Sequence, residues 1–477
     1  MPSHDREAVT AFLESTVDRP TLGIVYGRRR IGKSTMLVDA ADRRNGFYFE
    51  AIRVETPAQL ERLGAALGSF LGVGRLAIAS WEEAFTLLLG LGERGPLPVI
   101  LDEFGYIIEA DPSVASVLAA ALGPGGRRGQ QSQARLIVCG SAITIMRALT
   151  EGQSALRGRA SLELVMQPDD FRTAATWLPP SADLPTATRT FSVIGGVIGY
   201  ATDMVNFDLP KDRDDVDRWV IDRVLSASAT LHREATTLLA EDPNLGGKSA
   251  LIHHGILGAI ANGTVTSAGI GKAIARQASN VDVFLRRLID AGFVTRHEDP
   301  IRKRRPAFSL ADPFLQFHYA VLEPHGAQLR GRDPSLLWDE RLKATFNAKV
   351  RGPVFEEMAR TWVARFASHA TLPVRAFLGP STVVVAGIER QVDVLVAGPG
   401  AVPNERTITA LGEAKAGELL TTRHLDDLVM FRGALGQDAT DATLFLFGER
   451  FHQELVTAAA GRPDVQLVDL ERLYFGS

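Results

Sequence analysis

The chain has 477 residues, 45% of them hydrophobic and 23% charged, too long for one hydrophobic core and sufficient for roughly two to four domains. A formal net charge of −4 excludes a whole-molecule basic field, so any contact with nucleic acid must come from local patches. The single cysteine, Cys139, excludes an internal disulfide framework and a cysteine-built zinc site, and no apolar run reaches the ~18 residues of a membrane span; a reducing, cytoplasmic location with no membrane contact is expected.

From residue 1 to about 175, short apolar runs alternate with helical patterns, as a parallel sheet with crossover helices requires. Strands are predicted at Leu22 to Tyr26, Gly46 to Glu50, Pro98 to Asp102, Leu136 to Gly140 and Leu162 to Met166. The fourth follows Gly123-Pro124-Gly125-Gly126-Arg127-Arg128-Gly129, whose glycines and charges suit a surface excursion.

The first strand runs into Gly27-Arg28-Arg29-Arg30-Ile31-Gly32-Lys33-Ser34-Thr35, which fits Gly-x-x-x-x-Gly-Lys-Ser, and Met36-Leu37-Val38 then opens a helix. Such a loop curls so that backbone N–H groups point inward at phosphates, with Gly27, Arg30, Ile31, Gly32, Lys33, Ser34 and Thr35 forming the cradle for ATP. Lys33 would reach the β- and γ-phosphates and the Ser34 hydroxyl would hold Mg2+. The third strand ends in Asp102-Glu103, where Asp102 would hold the metal through water and Glu103 would act as base, against a solvated acidic pair as the plain alternative. Ser141, at the end of the fourth strand, is either a sensor of the γ-phosphate or a helix N-cap. Arg157 and Arg159 are either solvated or placed to meet a neighbouring subunit's γ-phosphate; Arg159 acting in that way requires a homo-oligomer.

Residues 176–245 read as a helical lid and connector. Residues 246–325 carry helical patterns at Leu251 to Ala261, Gly269 to Gln277 and Val281 to Ala291, then a hairpin through Phe293 to Arg296 and Ala307 to Leu310, the order of a winged helix-turn-helix. Arg302, Lys303, Arg304 and Arg305 fall at the wing tip, joined by Arg286 and Arg287 on the third helix, and form either a DNA-phosphate contact or a solvated basic loop.

Residues 326–477 comprise linker helices and a mixed domain. A helix is predicted around Val354 to Phe366, strands at Thr382 to Ala386, Gln391 to Ala397 and Thr407 to Lys415, a helix from Leu425 and a strand at Thr443 to Phe447. Asp393 lies in an apolar strand, and Glu413 and Lys415 share one face of the next, because strand side chains alternate. With Glu356 from the helix they make an acid set able to hold Mg2+ against a scissile phosphate; otherwise Glu413 and Lys415 pair on the surface and Asp393 caps a turn. Arg423 and His424 precede the next helix, where they either support a phosphate near this site or, as is commoner for a lone histidine at a helix start, are structural.

Val25 to Lys33, Leu101-Asp102-Glu103-Phe104, Cys139-Gly140-Ser141, Gly195-Gly196-Val197 and Asp312-Pro313-Phe314 together resemble the archaeal-type AAA+ ATPases related to the STAND group. The box that precedes the P-loop in that family is reduced to Asp5-Arg6-Glu7. The resemblance continues into a C-terminal restriction-endonuclease-like, PD-(D/E)xK-type domain. It implies an α/β fold: a P-loop NTPase parallel-sheet domain, then a helical lid and winged helix, then the nuclease-like domain. The implied activity is ATP hydrolysis coupled to magnesium-dependent cleavage of DNA, in a setting such as defence. The alternative is a regulatory switch that binds DNA or a protein partner without cutting.

Overall fold

The computed structural model describes residues 3–123, 132–242, 245–302, 305–400 and 406–477. Most of the glycine-rich run at 123–129, together with Lys303 and Arg304, therefore lies outside the described residues. The chain divides into two compact units: residues 1–169 with 197–199 and 290–292, and the remainder.

The first unit is built on a five-stranded, all-parallel sheet of β1 (Thr21–Tyr26), β2 (Phe47–Glu50), β3 (Leu97–Asp102), β4 (Ala134–Gly140) and β5 (Ala160–Val165), in the order β2-β3-β4-β1-β5. Every residue of β1 and β4 is buried, whereas the outer strands β2 and β5 include exposed positions. Continuous apolar sequence in the centre and interrupted sequence at the edges is what helices on both faces demand. Leu22, Ile24, Leu101, Leu136 and Val138 pack with Leu60, Leu63, Phe85 and Leu88 from the flanking helices, each such burial contributing about 1.5–3 kcal/mol. Because β1 and β3 both lie beside β4 and all three are parallel, the loops leaving them emerge at one sheet edge.

In the second unit, helices Ala250–Ala261, Ser267–Ala273 and Ala278–Asp290 precede an antiparallel ribbon of β6 (Val294–His297) and β7 (Ala307–Leu310). Asp312 stands buried behind it, its Oδ1 accepting from the Phe314 N–H at 2.9 Å and its Oδ2 from the Tyr200 hydroxyl at 3.2 Å. Gly195, at φ 57°, lets the chain pass there, since a Cβ would lie 2.8 Å from Pro313 Cδ.

The last part is a mixed sheet, β12-β11-β10-β9-β8, of β8 (Phe377–Val385), β9 (Ile388–Pro399), β10 (Arg406–Leu420), β11 (Thr443–Phe451) and β12 (Val465–Val468). β8, β9 and β10 are antiparallel neighbours, while β10, β11 and β12 run parallel. β8 begins five residues before the predicted Thr382, because Pro380, which reads as a breaker, sits at a register shift between Gly379 and Ser381 where no ladder donor is needed. Ala386 and Gly387, both at positive φ, make the two-residue turn into β9. Among the described residues no helix is long and apolar enough to cross a membrane.

Candidate functional site

The loop after β1 is shaped by two left-handed residues, Arg30 at φ 64° and Gly32 at φ 87°, with Gly32 capping the helix Lys33–Asp42. Alternating backbone handedness of this kind turns successive N–H groups toward one side, forming a concavity suited to an anion. Gly27 has a different reason to be glycine: a Cβ there would lie 2.4 Å from the Met166 carbonyl oxygen. Ile31 is buried, and Ser34 and Thr35 are exposed at the helix start. Lys33 is buried and donates to the Arg28 carbonyl at 2.8 Å. Burial pulls its ammonium below the usual lysine range, and the nearby Glu103 and Asp102 carboxylates work in the opposite direction.

Asp102 ends β3 fully buried; its Oδ2 accepts from the Tyr48 hydroxyl at 2.8 Å and its Oδ1 from the Glu103 N–H at 2.8 Å. Burial, followed by the Asp102 charge, pushes the Tyr48 phenol far up, so it stays a donor. Glu103 sits at φ 50°, a conformation that is costly for a non-glycine residue. Both its carboxylate oxygens lie 2.9 Å from Ser141 Oγ. The helix after Ser141 starts at Ile143 with Ala142 as its cap, so the N-cap alternative for Ser141 is excluded. Cys139, beside these groups on β4, is fully buried and its thiol is pushed well up, first by burial and then by Asp102.

Arg159 Nε donates to the Ala155 carbonyl at 3.1 Å and Arg157 Nη1 to that of Gly152 at 3.0 Å, so each exposed arginine is tied to its own segment. Tyr48 and Gly199 escaped the sequence reading. Nothing local marks either one, since their importance comes from which strand or loop lies alongside.

The second cluster is in the C-terminal sheet. Asp393, buried on β9, accepts from the Ala414 N–H of β10 at 3.0 Å, and its Oδ2 lies 3.7 Å from Lys415 Nζ. Lys415 also pairs with Glu413, so its ammonium bridges the two carboxylates. Neither Asp393 as a turn cap nor Glu413–Lys415 as a lone surface pair describes this arrangement. Glu356, on the helix Gly352–Arg365, joins through charge: burial first and then Asp393 push its carboxyl up to about 8. Glu413 is raised for the same two reasons, while Asp393 and Glu413 raise Lys415 against the effect of burial. Among the described residues no three His, Cys, Asp or Glu side chains form a ready set of metal ligands.

Arg360, on the same helix, is the organiser that the sequence did not reveal. Its Nη1 donates to the Asp393 carbonyl at 2.8 Å and lies 3.9 Å from Glu356 Oε2, while its Nη2 is 2.8 Å from Glu357 Oε2. The sole signal is an arginine four residues after Glu356 and three after Glu357 on one helix. A cleft of about 250 Å³ adjoins Glu413, lined also by Arg390, Gln391, His424 and Asp427. His424 Nδ1 accepts from the Thr421 N–H at 3.1 Å as part of a capping box, in keeping with its structural reading.

Of the four cations expected at the tip, Arg302 and Arg305 lie within the described residues. Arg302, in the loop that joins β6 to β7, carries an ion-pair partner: its Nη1 lies 3.2 Å from Glu389 Oε1 on β9. Asp299 fixes this turn, its Oδ1 accepting from the Ile301 and Arg302 N–H groups and from the Ser381 hydroxyl, all at 2.9 Å. Arg406 Nη1 donates to the carbonyls of Asp299 and Pro300, at 3.2 and 2.6 Å. The loop at the ribbon's tip is thereby bound to the C-terminal sheet, while Arg286, Arg287 and Arg305 remain exposed.

No protein-family model matches the chain. It is 22% identical over 380 residues to the uncharacterized protein MJECL04 of Methanocaldococcus jannaschii, covering 78% of this chain and 79% of that protein. Among solved structures it is similar to the Walker-type ATPase PABY2304 of Pyrococcus abyssi, with 18% identity, a TM-score of 0.46, and coverage of 67% of this chain and 96% of that one. It is also similar to the ORC2 protein of Aeropyrum pernix, with 15% identity, a TM-score of 0.40, and coverage of 69% and 92%.

Proposed function

We propose that the first unit is an ATP-binding and ATP-hydrolysing P-loop domain. The observation that carries this is the gathering of Lys33, Asp102, Glu103 and Ser141 at one sheet edge, below a loop whose Arg30 and Gly32 are left-handed. The donor chemistry fits magnesium: the Ser34 hydroxyl is exposed at the helix start, and Asp102 brings a carboxylate, the ligand type that magnesium favours, to the end of β3. Bound there, the ion would neutralise charge on the phosphates. Lys33 would hold the β- and γ-oxygens, and Glu103 would orient water and take its proton. Lys33→Ala is expected to abolish binding of a fluorescent ATP analogue, and Glu103→Gln to retain binding without turnover. Full ATP affinity in Lys33→Ala would refute the reading.

The C-terminal half is read as a magnesium-dependent, nuclease-like domain acting on DNA under the control of that ATPase. Asp393, Glu413, Glu356 and Lys415 support this by sharing one partly buried charge cluster, three of them on a sheet whose antiparallel half meets its parallel half at β10 and Glu356 on the helix beside it. Carboxylate oxygens are the ligands magnesium favours, and the Glu356 carboxyl, raised first by burial and then by the Asp393 charge, stands close enough to the other acids to feel them. The switch without cleavage is favoured by a separate observation, the Lys415 bridge across the acids. Cleavage that requires a divalent ion and disappears in Asp393→Ala or Lys415→Ala would establish the first reading. Absence of cleavage of every DNA form in every nucleotide state would leave the second.

A further inference from the structure

We propose that Gly199 is a positioning residue for the phosphate loop, holding the Arg30 carbonyl so that the loop keeps its anion-binding curl; the inference rests on the ATPase reading. Arg30 carries a side chain at φ 64°, a conformation that an L-residue keeps only when its surroundings impose it. What imposes it comes from far along the chain. Residues 197–199 belong to the first unit, and the Gly199 N–H donates to the Arg30 carbonyl at 2.8 Å. Gly199 lies in the first turn of a helical segment, where backbone N–H groups have no acceptor within the helix, so the Arg30 carbonyl supplies one.

The approach is closer than any side chain permits. A Cβ on Gly199 would lie 2.4 Å from Arg30 Cβ, 2.9 Å from its carbonyl oxygen and 3.1 Å from its Cα. None of these atoms is the end of a flexible side chain, so backbone would have to move. Arg30 and Gly32 enclose Ile31 in the curl that turns the loop's N–H groups together, and displacing Arg30 disperses them. Gly195 and Gly196 are conspicuous in the sequence, yet Gly199 is the glycine that meets the loop.

The test is a double-mutant cycle on nucleotide affinity, measured on the folded fraction of the full chain with a fluorescent ATP analogue. Gly199→Ala is expected to weaken binding about tenfold or more, the coupling typical of residues in direct contact. In an Arg30→Gly background the closest of these contacts, that with the Arg30 Cβ, is gone, and free positive φ lets the remaining carbonyl and Cα shift by the few tenths of an ångström needed, so the same change is expected to cost less than about threefold. Equal losses in both backgrounds, or no loss in either, would overturn the assignment. Should Gly199→Ala alone fail to fold, recovery of folded, nucleotide-binding protein by Gly199→Ala/Arg30→Gly supports the inference and failure to recover it counts against it. Lys33→Ala separates the two claims: binding that survives it removes the ATPase reading, whereas binding lost there but unaffected by Gly199→Ala removes the Gly199 inference alone.

Discussion

Ser141 Oγ stands 2.9 Å from both carboxylate oxygens of Glu103, so one hydroxyl at the end of β4 holds the acid that follows β3. A base must be aimed before it can take a proton, and under the proposed ATPase reading Glu103 would be aimed from a strained backbone by a partner 38 residues on, at the end of the next strand. Ser141→Ala is therefore expected to lower ATP turnover about tenfold while nucleotide affinity changes little. Glu103→Gln is expected to lower turnover by ~10²–10⁴. Phosphate-release kinetics beside equilibrium binding would check both, and a Ser141→Ala enzyme with normal turnover would refute the tether.

Arg360 is buried among Glu357, Glu356 and the Asp393 carbonyl. Removing it leaves those groups without their cation, so Arg360→Ala is expected to destabilise the protein by about 3 kcal/mol in chemical denaturation. Arg360→Lys keeps the charge but loses the planar fork and should fall between wild type and alanine. Equal stability of all three would show that the cluster does not depend on this residue.

The acid cluster predicts a direction for pH. Glu356 is held at about 8 in the folded protein, above its unfolded value, so its contribution is complete below the ordinary glutamate range and is lost as pH rises through 8. Glu413 shifts the same way. Glu356→Gln, which cannot ionise, should melt ~2–4 °C higher than wild type at pH 9, the size of shift that roughly 1 kcal/mol gives in a domain of this class, with the gap closing toward pH 5. Melting curves that keep one separation across that range would contradict the assignment.

The Arg302–Glu389 pair sets an expectation for nucleic acid. If the ribbon's cations meet phosphates, Glu389→Ala releases Arg302 and should tighten DNA binding several-fold at fixed salt, while Arg302→Ala should weaken it and lower the salt dependence by about one phosphate contact. Fluorescence anisotropy over a salt series reads both; identical affinities in both variants would assign Arg302 to holding the ribbon on the sheet.

The central strands of the first unit were legible in sequence because buried parallel strands announce themselves as apolar runs, as Val99-Ile100-Leu101 and Ile137-Val138-Cys139 do. Asp393, Glu413 and Lys415 were legible because alternation fixes which strand residues share a face. Tyr48, Gly199 and Arg360 were not, since each matters through a neighbour that chain order does not reveal: the β2–β3 pairing, the return of residues 197–199, and the helix lying against β9. The same limit hid the Asp299 turn, whose partners come from β8 and β10.

Cys139 gives the molecule a built-in clock. Its thiol is sealed in the central strand beside Asp102 and Lys33, with its ionisation suppressed, so alkylating reagents can reach it only when that strand edge opens. Since it is the single cysteine of the chain, the rate at which the whole protein is labelled reports the opening of one place, with no engineered probe. A nucleotide that closes the loop above β1 and β3 should slow that labelling.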